Sequence, residues 1–173
     1  MSQLTSWWLE RRSICRAVTS EGSNNEPAVP KAVQHFRDQE KVRLLEHPTK
    51  PFMYDLIDRK VQVGPIQMPP QVYLTDTIMQ NLVTDARVTL FSLVQDSLSR
   101  LPNGKGTLDE ISSLCRESQF LHPQADPTTL LKKVAMALTH FQRGQMEPTC
   151  SFDPETKQYK LHSHYPPGNY TNI

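Results

Sequence analysis

The chain has 173 residues, 37% of them hydrophobic and 8% aromatic, which allows one domain or a small domain with a long extension. Nineteen basic against 18 acidic residues leave a net charge of +1, which argues against a protein whose affinity depends on a polyanion. Three widely spaced cysteines predict neither a disulfide framework nor a zinc module, and no apolar run is long enough to predict a membrane span. We therefore expect a protein of a reduced, intracellular compartment, without a signal peptide.

The first thirty residues contain the most unusual apolar surface of the chain. Residues 6–18 predict a short helix that carries the adjacent Trp7 and Trp8. These two side chains either pack on the rest of the fold or dock on a partner, since tryptophan is favoured at binding hot spots. Residues 19–30 are polar and rich in helix breakers, which predicts a linker or a disordered loop.

Residues 31–73 predict a helix followed by an ordered extension, the latter over residues 48–73. Residues 31–46 predict a helix that contains Phe36, and the residue before Pro48 should end it. Residues 50–54 predict an extended segment, and the alternating residues 60–63 predict a short strand. Prolines between residues 48 and 73 exclude a central sheet, so we expect this extension to lie over the next domain. A proline-rich ligand for an aromatic groove is the alternative.

Three amphipathic helices follow. Residues 87–101 carry apolar side chains at three- and four-residue steps, which predicts one buried stripe. Pro102, Asn103 and two glycines then predict a tight crossing that ends this helix. Thr107 and Glu110 have the spacing of a capping box and predict the start of a second helix over residues 108–119, with Cys115 in the core. Asp126 and Pro127 are favoured at the start of a third helix, for which Gly144 is a predicted C-terminal cap.

A β-hairpin closes the pattern. Residues 150–152 and 158–161 alternate around a turn of about five residues, so that Cys150 and Phe152 can share a face with Tyr159 and Leu161. Helix, crossing, helix, helix, hairpin is the order of a winged helix. We predict an α+β fold, mainly α with a small hairpin: an N-terminal helical and extended proline-rich extension over residues 1–81, a winged-helix-like three-helix domain over 82–165, and a flexible tail over 166–173.

Two strings of residues resemble a known family. The stretch from Arg87 through the string Arg-Leu-Pro-Asn-Gly-Lys-Gly-Thr, which ends at Thr107, to Leu114 resembles the family of nuclear factor related to kappaB-binding protein. The later string Phe-Asp-Pro-Glu-Thr-Lys-Gln-Tyr-Lys-Leu-His, residues 152–162, is similar to the same family. The resemblance covers residues 33–164, and the first thirty residues match nothing.

The resemblance implies a non-enzymatic, nuclear subunit of the Ino-eighty type of chromatin-remodelling complex, which acts in transcription regulation and DNA repair. Its expected partners are other subunits of that complex. In the family, a separate N-terminal region engages a ubiquitin C-terminal hydrolase. No segment here matches that region, so deubiquitinase regulation is not assigned to a segment of this chain.

The charge balance decides between protein and nucleic acid as the partner. A winged helix can place its third helix in the major groove of DNA. Between residues 85 and 164, however, nine basic residues face nine acidic ones, and Asp153 and Glu155 lie in the predicted wing turn. We therefore predict a protein-interaction module, with DNA binding through Lys132, Lys133 and Arg143 as the alternative and weak nucleic-acid contact at most. The predicted partner-binding residues are Trp7, Trp8, Phe36, Lys132, Lys133, His140 and Arg143.

Neither an enzyme nor a cofactor site is predicted. Cys115, Cys150, His162 and His164 lack the spacing of zinc ligands, and a structural role is the simpler interpretation of Cys150. The string Gly104-Lys-Gly-Thr107 does not fit the phosphate-binding loop, which needs four residues between its glycines and a buried strand before them. We expect no catalytic residue, no metal, no cofactor, no small-molecule substrate and no membrane contact.

Overall fold

The computed structural model describes residues 29–66, 81–143 and 148–162. Within these ranges it contains four α-helices and two small antiparallel sheets, which confirms the predicted α+β class. The predicted helix at Trp7 and Trp8, almost all of the 19–30 linker, the cap at Gly144 and the tail beyond residue 165 lie outside the described residues. The domain limits at 81 and 165 stay a prediction.

The extension forms a helix and a hairpin. Helix α1 spans Lys31–Glu46, as predicted, and strand β1 (Phe52–Asp55) pairs antiparallel with β2 (Lys60–Val63). The hairpin presents Tyr54, Val61 and Val63 to Phe36 of α1, and these side chains form a small buried cluster. The prolines that flank the hairpin lie outside its strands, which agrees with the prediction that they exclude a central sheet.

Helix α2 spans Leu90–Arg100 and lies at the centre of the molecule. Thr89 caps it by accepting a hydrogen bond from the Ser92 amide at 3.2 Å. The apolar stripe predicted from the sequence is buried, but the opposite, polar face is buried too. The prediction of a single buried stripe was therefore incomplete, because α1 and β2 cover the second face.

The crossing after α2 is confirmed, with one addition. A 3₁₀ turn at Pro102–Gly104 contains Asn103 at φ 57° and Gly104 at φ 63°, in the left-handed region that glycine and asparagine tolerate. Lys105–Thr107 then forms a short strand, β3, which the sequence pattern did not predict. The capping box is present as predicted: the Glu110 amide donates to Thr107 Oγ1 at 3.3 Å, and the Thr107 amide donates to Glu110 Oε2 at 2.8 Å.

Two further helices complete the helical layer. Helix α3 spans Leu108–Cys115, four residues shorter at its end than predicted. Helix α4 spans Pro127–Gln142 and starts as predicted, with the Thr129 amide donating to Asp126 Oδ2 at 2.7 Å. Between these helices, Leu121 forms an isolated antiparallel bridge with Val83.

The wing is a three-stranded sheet in the order β3-β5-β4. Strands β4 (Cys150–Asp153) and β5 (Gln158–Leu161) form the predicted hairpin, with Cys150 opposite Leu161 and Phe152 opposite Tyr159. Strand β3 adds to the other edge of β5 and places Gly106 opposite Tyr159. The hairpin is thereby tied to the loop that precedes α3.

One hydrophobic core lies between α2, α3, α4 and the sheet. Its most buried members come from all of these elements and include Leu98, Ile111, Val134, Leu138 and Cys150. None of the described helices combines the length and the apolar character that crossing a membrane requires.

Candidate functional site

The outward face of α4 holds most of the residues that the sequence predicted for partner binding. Lys132 and Arg143 are exposed, whereas Lys133, Met136 and His140 are half-buried. Met136 packs against the core, and the edge of the His140 ring contacts Phe91 with 5.5 Å between ring centroids. The face therefore offers two exposed cationic side chains above a partly apolar base.

The start of α4 is negatively charged. Hydrogen bonds from Thr129 hold the pKa of the exposed Asp126 carboxyl below its ordinary value, so this cap stays ionised at neutral pH. Its negative charge interacts with Lys132, six residues later in the helix. A phosphate that approaches this end of the helix would meet a carboxylate first.

The wing turn is also acidic and is ordered by its own side chains. Asp153 accepts hydrogen bonds from Thr156 Oγ1 at 2.7 Å and from the Glu155 amide at 3.0 Å. The bonds from Thr156 lower the pKa of Asp153, so its charge persists beside the exposed Glu155. Phe152 is 44% exposed and contacts Tyr159 with 4.9 Å between ring centroids, so the wing also presents an aromatic surface.

The sheet of the wing also carries positive charge on its outer face. Lys105 and Lys160 are cross-strand neighbours on the outer face of the sheet, where Lys105 Nζ also lies 3.9 Å from Asp153 Oδ2. Lysine and aspartate side chains are therefore close neighbours on this face of the wing. Such a surface gives no uniform field for a nucleic-acid backbone.

Phe36 does not belong to the outward surface. It is 2% exposed and packs on Tyr54 with 5.0 Å between ring centroids. The Arg100 guanidinium lies over its ring, 3.6 Å from the centroid. The N-terminal segment was predicted either to pack on the rest of the fold or to dock on a partner, and the burial of Phe36 fits packing against the winged helix. It also corrects the placement of Phe36 among accessible partner-binding residues.

A buried polar cluster, which sequence reasoning missed, joins α1 and the hairpin to α2. The Arg43 guanidinium is paired with Asp96 and donates to Tyr54 Oη at 3.1 Å and to the Gly64 carbonyl at 2.6 Å. Asp96 is 5% exposed, and burial raises its pKa while Arg43 opposes that rise. The spacing of Phe36, Glu40, Arg43 and Leu44 on one face of α1 was the signal that could have revealed this cluster.

A second part of this interface joins α1 to the loop after α3. Glu40 accepts hydrogen bonds from Ser118 Oγ at 2.6 Å and from the Gln119 amide at 3.0 Å. Arg100 of α2 is paired with Glu117, and Arg37 Nε donates to the Glu117 carbonyl at 2.8 Å. Burial raises the pKa of Glu40 to about 7. The extension is thus attached to the helical layer by ionisable groups as well as by Phe36.

The cysteines are placed for packing. Burial raises the pKa of Cys115 to about 12 and that of Cys150 to about 11, so neither thiol ionises readily at neutral pH. Cys115 was predicted to lie in the core and does. Across the described ranges, no group of three or more His, Cys, Asp or Glu side chains is placed to hold a metal ion. His164 lies outside them.

A winged-helix domain is defined by helices α2, α3 and α4, the last with an outward face, together with the β3-β5-β4 sheet. A family model described as the NFRKB second winged helix domain matches residues 32–165. The chain belongs to this family, which is not a known family of enzymes. The match begins inside α1, so it includes the helix and hairpin of the extension.

A curated relative supports the same assignment. The chain is 32% identical over 125 residues to the nuclear factor related to kappa-B-binding protein of Xenopus tropicalis. The alignment covers 68% of this chain and 10% of the relative, so the chain spans about a tenth of that protein's length. No solved structure matches the chain.

Proposed function

We propose that this chain is a non-enzymatic protein-interaction module of a nuclear subunit of an Ino-eighty type chromatin-remodelling complex, with a role in transcription regulation and DNA repair. Membership of the NFRKB second winged helix family supports this assignment. One observation favours protein over DNA as the partner: carboxylates that stay ionised occupy both the start of α4 and the wing turn, the two places where a winged helix meets a phosphate backbone.

The proposed mechanism is docking of another subunit on a rigid platform. The α4 face combines exposed Lys132 and Arg143 with the half-buried Met136 and His140, and the wing adds the exposed Phe152. An aromatic side chain and arginine are favoured at the centre of protein interfaces, and charges of both signs give specificity at the rim. The extension braces α2 from behind, so the face need not rearrange on binding.

The test compares two surfaces in the assembled complex. We expect the variant Lys132→Glu/Arg143→Glu to be incorporated into a purified complex that lacks this subunit at least about tenfold more weakly than the parent. The matched control Lys41→Glu/Lys50→Glu makes the same charge change on the exposed surface of the extension and should be incorporated normally. Equal loss for both variants, or for neither, contradicts docking through α4.

DNA binding through α4 is the second candidate, because Lys132 and Arg143 are exposed on the helix that a winged helix places in the major groove. Under our proposal the parent has negligible affinity for duplex DNA at moderate salt, and reversing Lys132, Lys133 and Arg143 changes nothing. Tight binding by the parent with a steep salt dependence, lost in the triple variant, would establish the second candidate instead.

A further inference from the structure

A cleft with a partly polar and partly apolar lining, the latter from Leu121 and Pro123, lies between α1 and the segment that joins α3 to α4. Its volume is about 190 Å³. Its lining includes Arg37 of α1 and Arg116, Ser118, Gln119 and His122 of the connecting segment. None of these residues belongs to α4 or to the wing, so the cleft is separate from the face proposed above.

Two guanidinium groups supply its positive charge. Arg37 is held by its Nε, which donates to the Glu117 carbonyl at 2.8 Å, and among the described residues neither of its terminal nitrogens has an acceptor. Arg116 is exposed, and within the described part of the chain its side chain has no hydrogen-bond acceptor. Each guanidinium group can present several donors at once to a carboxylate or a phosphate.

His122 adds a further donor. Its Nδ1 accepts a hydrogen bond from the Gln124 amide at 3.2 Å, so Nδ1 carries no proton and Nε2 does. The amide side chain of Gln119 is fixed by a bond from its Nε2 to the Arg37 carbonyl. The polar groups around the cleft are therefore mostly donors, and two of its walls are held in place.

Three carboxylates that belong to residues in contact with the cleft lining already have partners. Glu117 is paired with Arg100, Glu40 accepts from Ser118 and Gln119, and Asp126 caps α4. Asp126 is the one of these that interacts electrostatically with Arg116. Among the described residues that line the cleft, two are arginines and none is acidic, so positive charge predominates there although Asp126 acts on Arg116.

We propose that this cleft binds a phosphate monoester on a serine or threonine side chain of a partner polypeptide. A phosphate monoester carries a charge of about −1.5 to −2 at pH 7, which matches two guanidinium groups, whereas a single carboxylate matches one. A cleft of about 190 Å³ has room for one phosphorylated side chain. The near-neutral surface of the module also disfavours a nucleic-acid backbone as the source of the phosphate.

The experiment titrates the full, isotope-labelled chain with a short glycine–alanine peptide that carries one central phosphoserine. We expect saturable shifts of the backbone amide resonances of Ser118, Gln119 and His122. The unphosphorylated twin of the peptide should bind at least about tenfold more weakly, because the charge-assisted bonds are lost. Parallel titrations with inorganic phosphate and with a short DNA duplex separate a phosphopeptide site from a general phosphate or DNA site.

Arg116→Gln is the decisive variant, because an exposed side chain without a structural acceptor can be replaced without unfolding the chain. It should weaken the phosphopeptide about tenfold, and Arg37→Gln should do the same if it folds. Arg143→Gln, an exposed arginine at the end of α4, is the matched control and should bind as the parent does. Equal affinity for both peptides, an unchanged Arg116→Gln variant, or tighter binding of the duplex than of the phosphopeptide overturns the proposal.

Discussion

Arg43 is the side chain through which the extension is most specifically attached to α2. Its guanidinium bonds to three groups on three different elements: Asp96 of α2, Tyr54 of β1 and the carbonyl of Gly64 after β2. A buried ion pair of this kind adds little net stability, since desolvation opposes the attraction. Removing one partner is costly, however, because the other charge is left buried and unpaired.

We expect Arg43→Met to lower the free energy of unfolding by about 3–5 kcal/mol, because Asp96 then remains buried without its counter-charge. Urea unfolding followed by circular dichroism measures the change. Replacing Lys41, an exposed residue of the same helix, by Met should change it by less than about 0.5 kcal/mol. The double variant Arg43→Met/Asp96→Leu should regain part of the loss; a loss equal to the sum of the two single variants would contradict a direct pair.

Glu40 makes the same interface dependent on pH. Its pKa rises from 4.5 to about 7 on folding, chiefly because burial disfavours the charged carboxylate. Between pH 4.5 and about 7, the Glu40 carboxyl therefore keeps its proton in the folded chain but has lost it in the unfolded chain. This contribution to stability is complete below pH 4.5 and is lost as the pH rises through 7.

Glu40→Gln removes this loss of stability at high pH. The side-chain amide of the glutamine can still accept from the Gln119 backbone amide and donate to Ser118 Oγ. The free energy of unfolding of the variant minus that of the parent should be larger at pH 8 than at pH 4.5, by an amount on the order of 3 kcal/mol. Chemical unfolding at the two pH values measures it. Glu46→Gln, at an exposed carboxylate of the same helix, should show no such change; an equal advantage of Glu40→Gln at both pH values would refute the assignment.

At the scale of elements, the features that depend on neighbouring residues were predictable. The capping box at Thr107, the start of α4 at Asp126 and the outward position of Lys132 and Arg143 follow from spacing within one or two helical turns. The crossing at Pro102–Gly104 follows from residues that cannot continue a helix. These local rules gave the order of a winged helix, which the structure confirms.

The features that were missed depend on distant residues. Lys105–Thr107 is a strand only because β5, some fifty residues later, pairs with it. The polar side of α2 is buried only because Arg43 and Glu40 approach from α1, and these charged residues look like a solvated face when the helix is considered alone. For the same reason Phe36 looked available to a partner, although Arg100 and Tyr54 cover it.

Gly106 tests the packing of β3 against its surroundings. A Cβ atom there would lie 2.6 Å from Leu101 Cδ1 and 2.6 Å from Glu110 Oε2. Gly106→Ala should therefore displace a core leucine and disturb the capping box, at a cost of about 1–3 kcal/mol in the free energy of unfolding. Ser113→Ala, on the exposed side of α3, is the control for which urea unfolding should show almost no change. A neutral Gly106→Ala variant would mean that β3 does not pack as described.

For the whole molecule, the question is whether the winged helix is stable without the extension. A chain that starts at residue 82 would expose the polar face of α2, including Asp96 and Arg100, which lose Arg43 and Phe36. We expect this chain to lose its cooperative thermal transition and its near-ultraviolet circular dichroism. A cooperative transition within a few degrees of the parent would show that residues 82–165 are independent.

Removing residues 1–30 gives the matched truncation. We expect it to leave the thermal transition of the rest of the chain intact, because the described core starts at α1. We expect it to weaken assembly with other subunits if Trp7 and Trp8 contact a partner. A large fall in melting temperature would assign a structural role to these tryptophans.

Helix α2 is enclosed on every side, and two of its three serines are bonded to the preceding turn: Ser97 Oγ donates to the Leu93 carbonyl at 2.7 Å and Ser99 Oγ to that of Gln95 at 3.0 Å. Its amide protons can therefore meet the solvent only when the surrounding layers separate. In heavy water this segment should be the last to take up deuterium, on the timescale of global unfolding, while the exposed wing turn is labelled early. The order of labelling would thus show that the molecule is built outward from its most deeply buried helix.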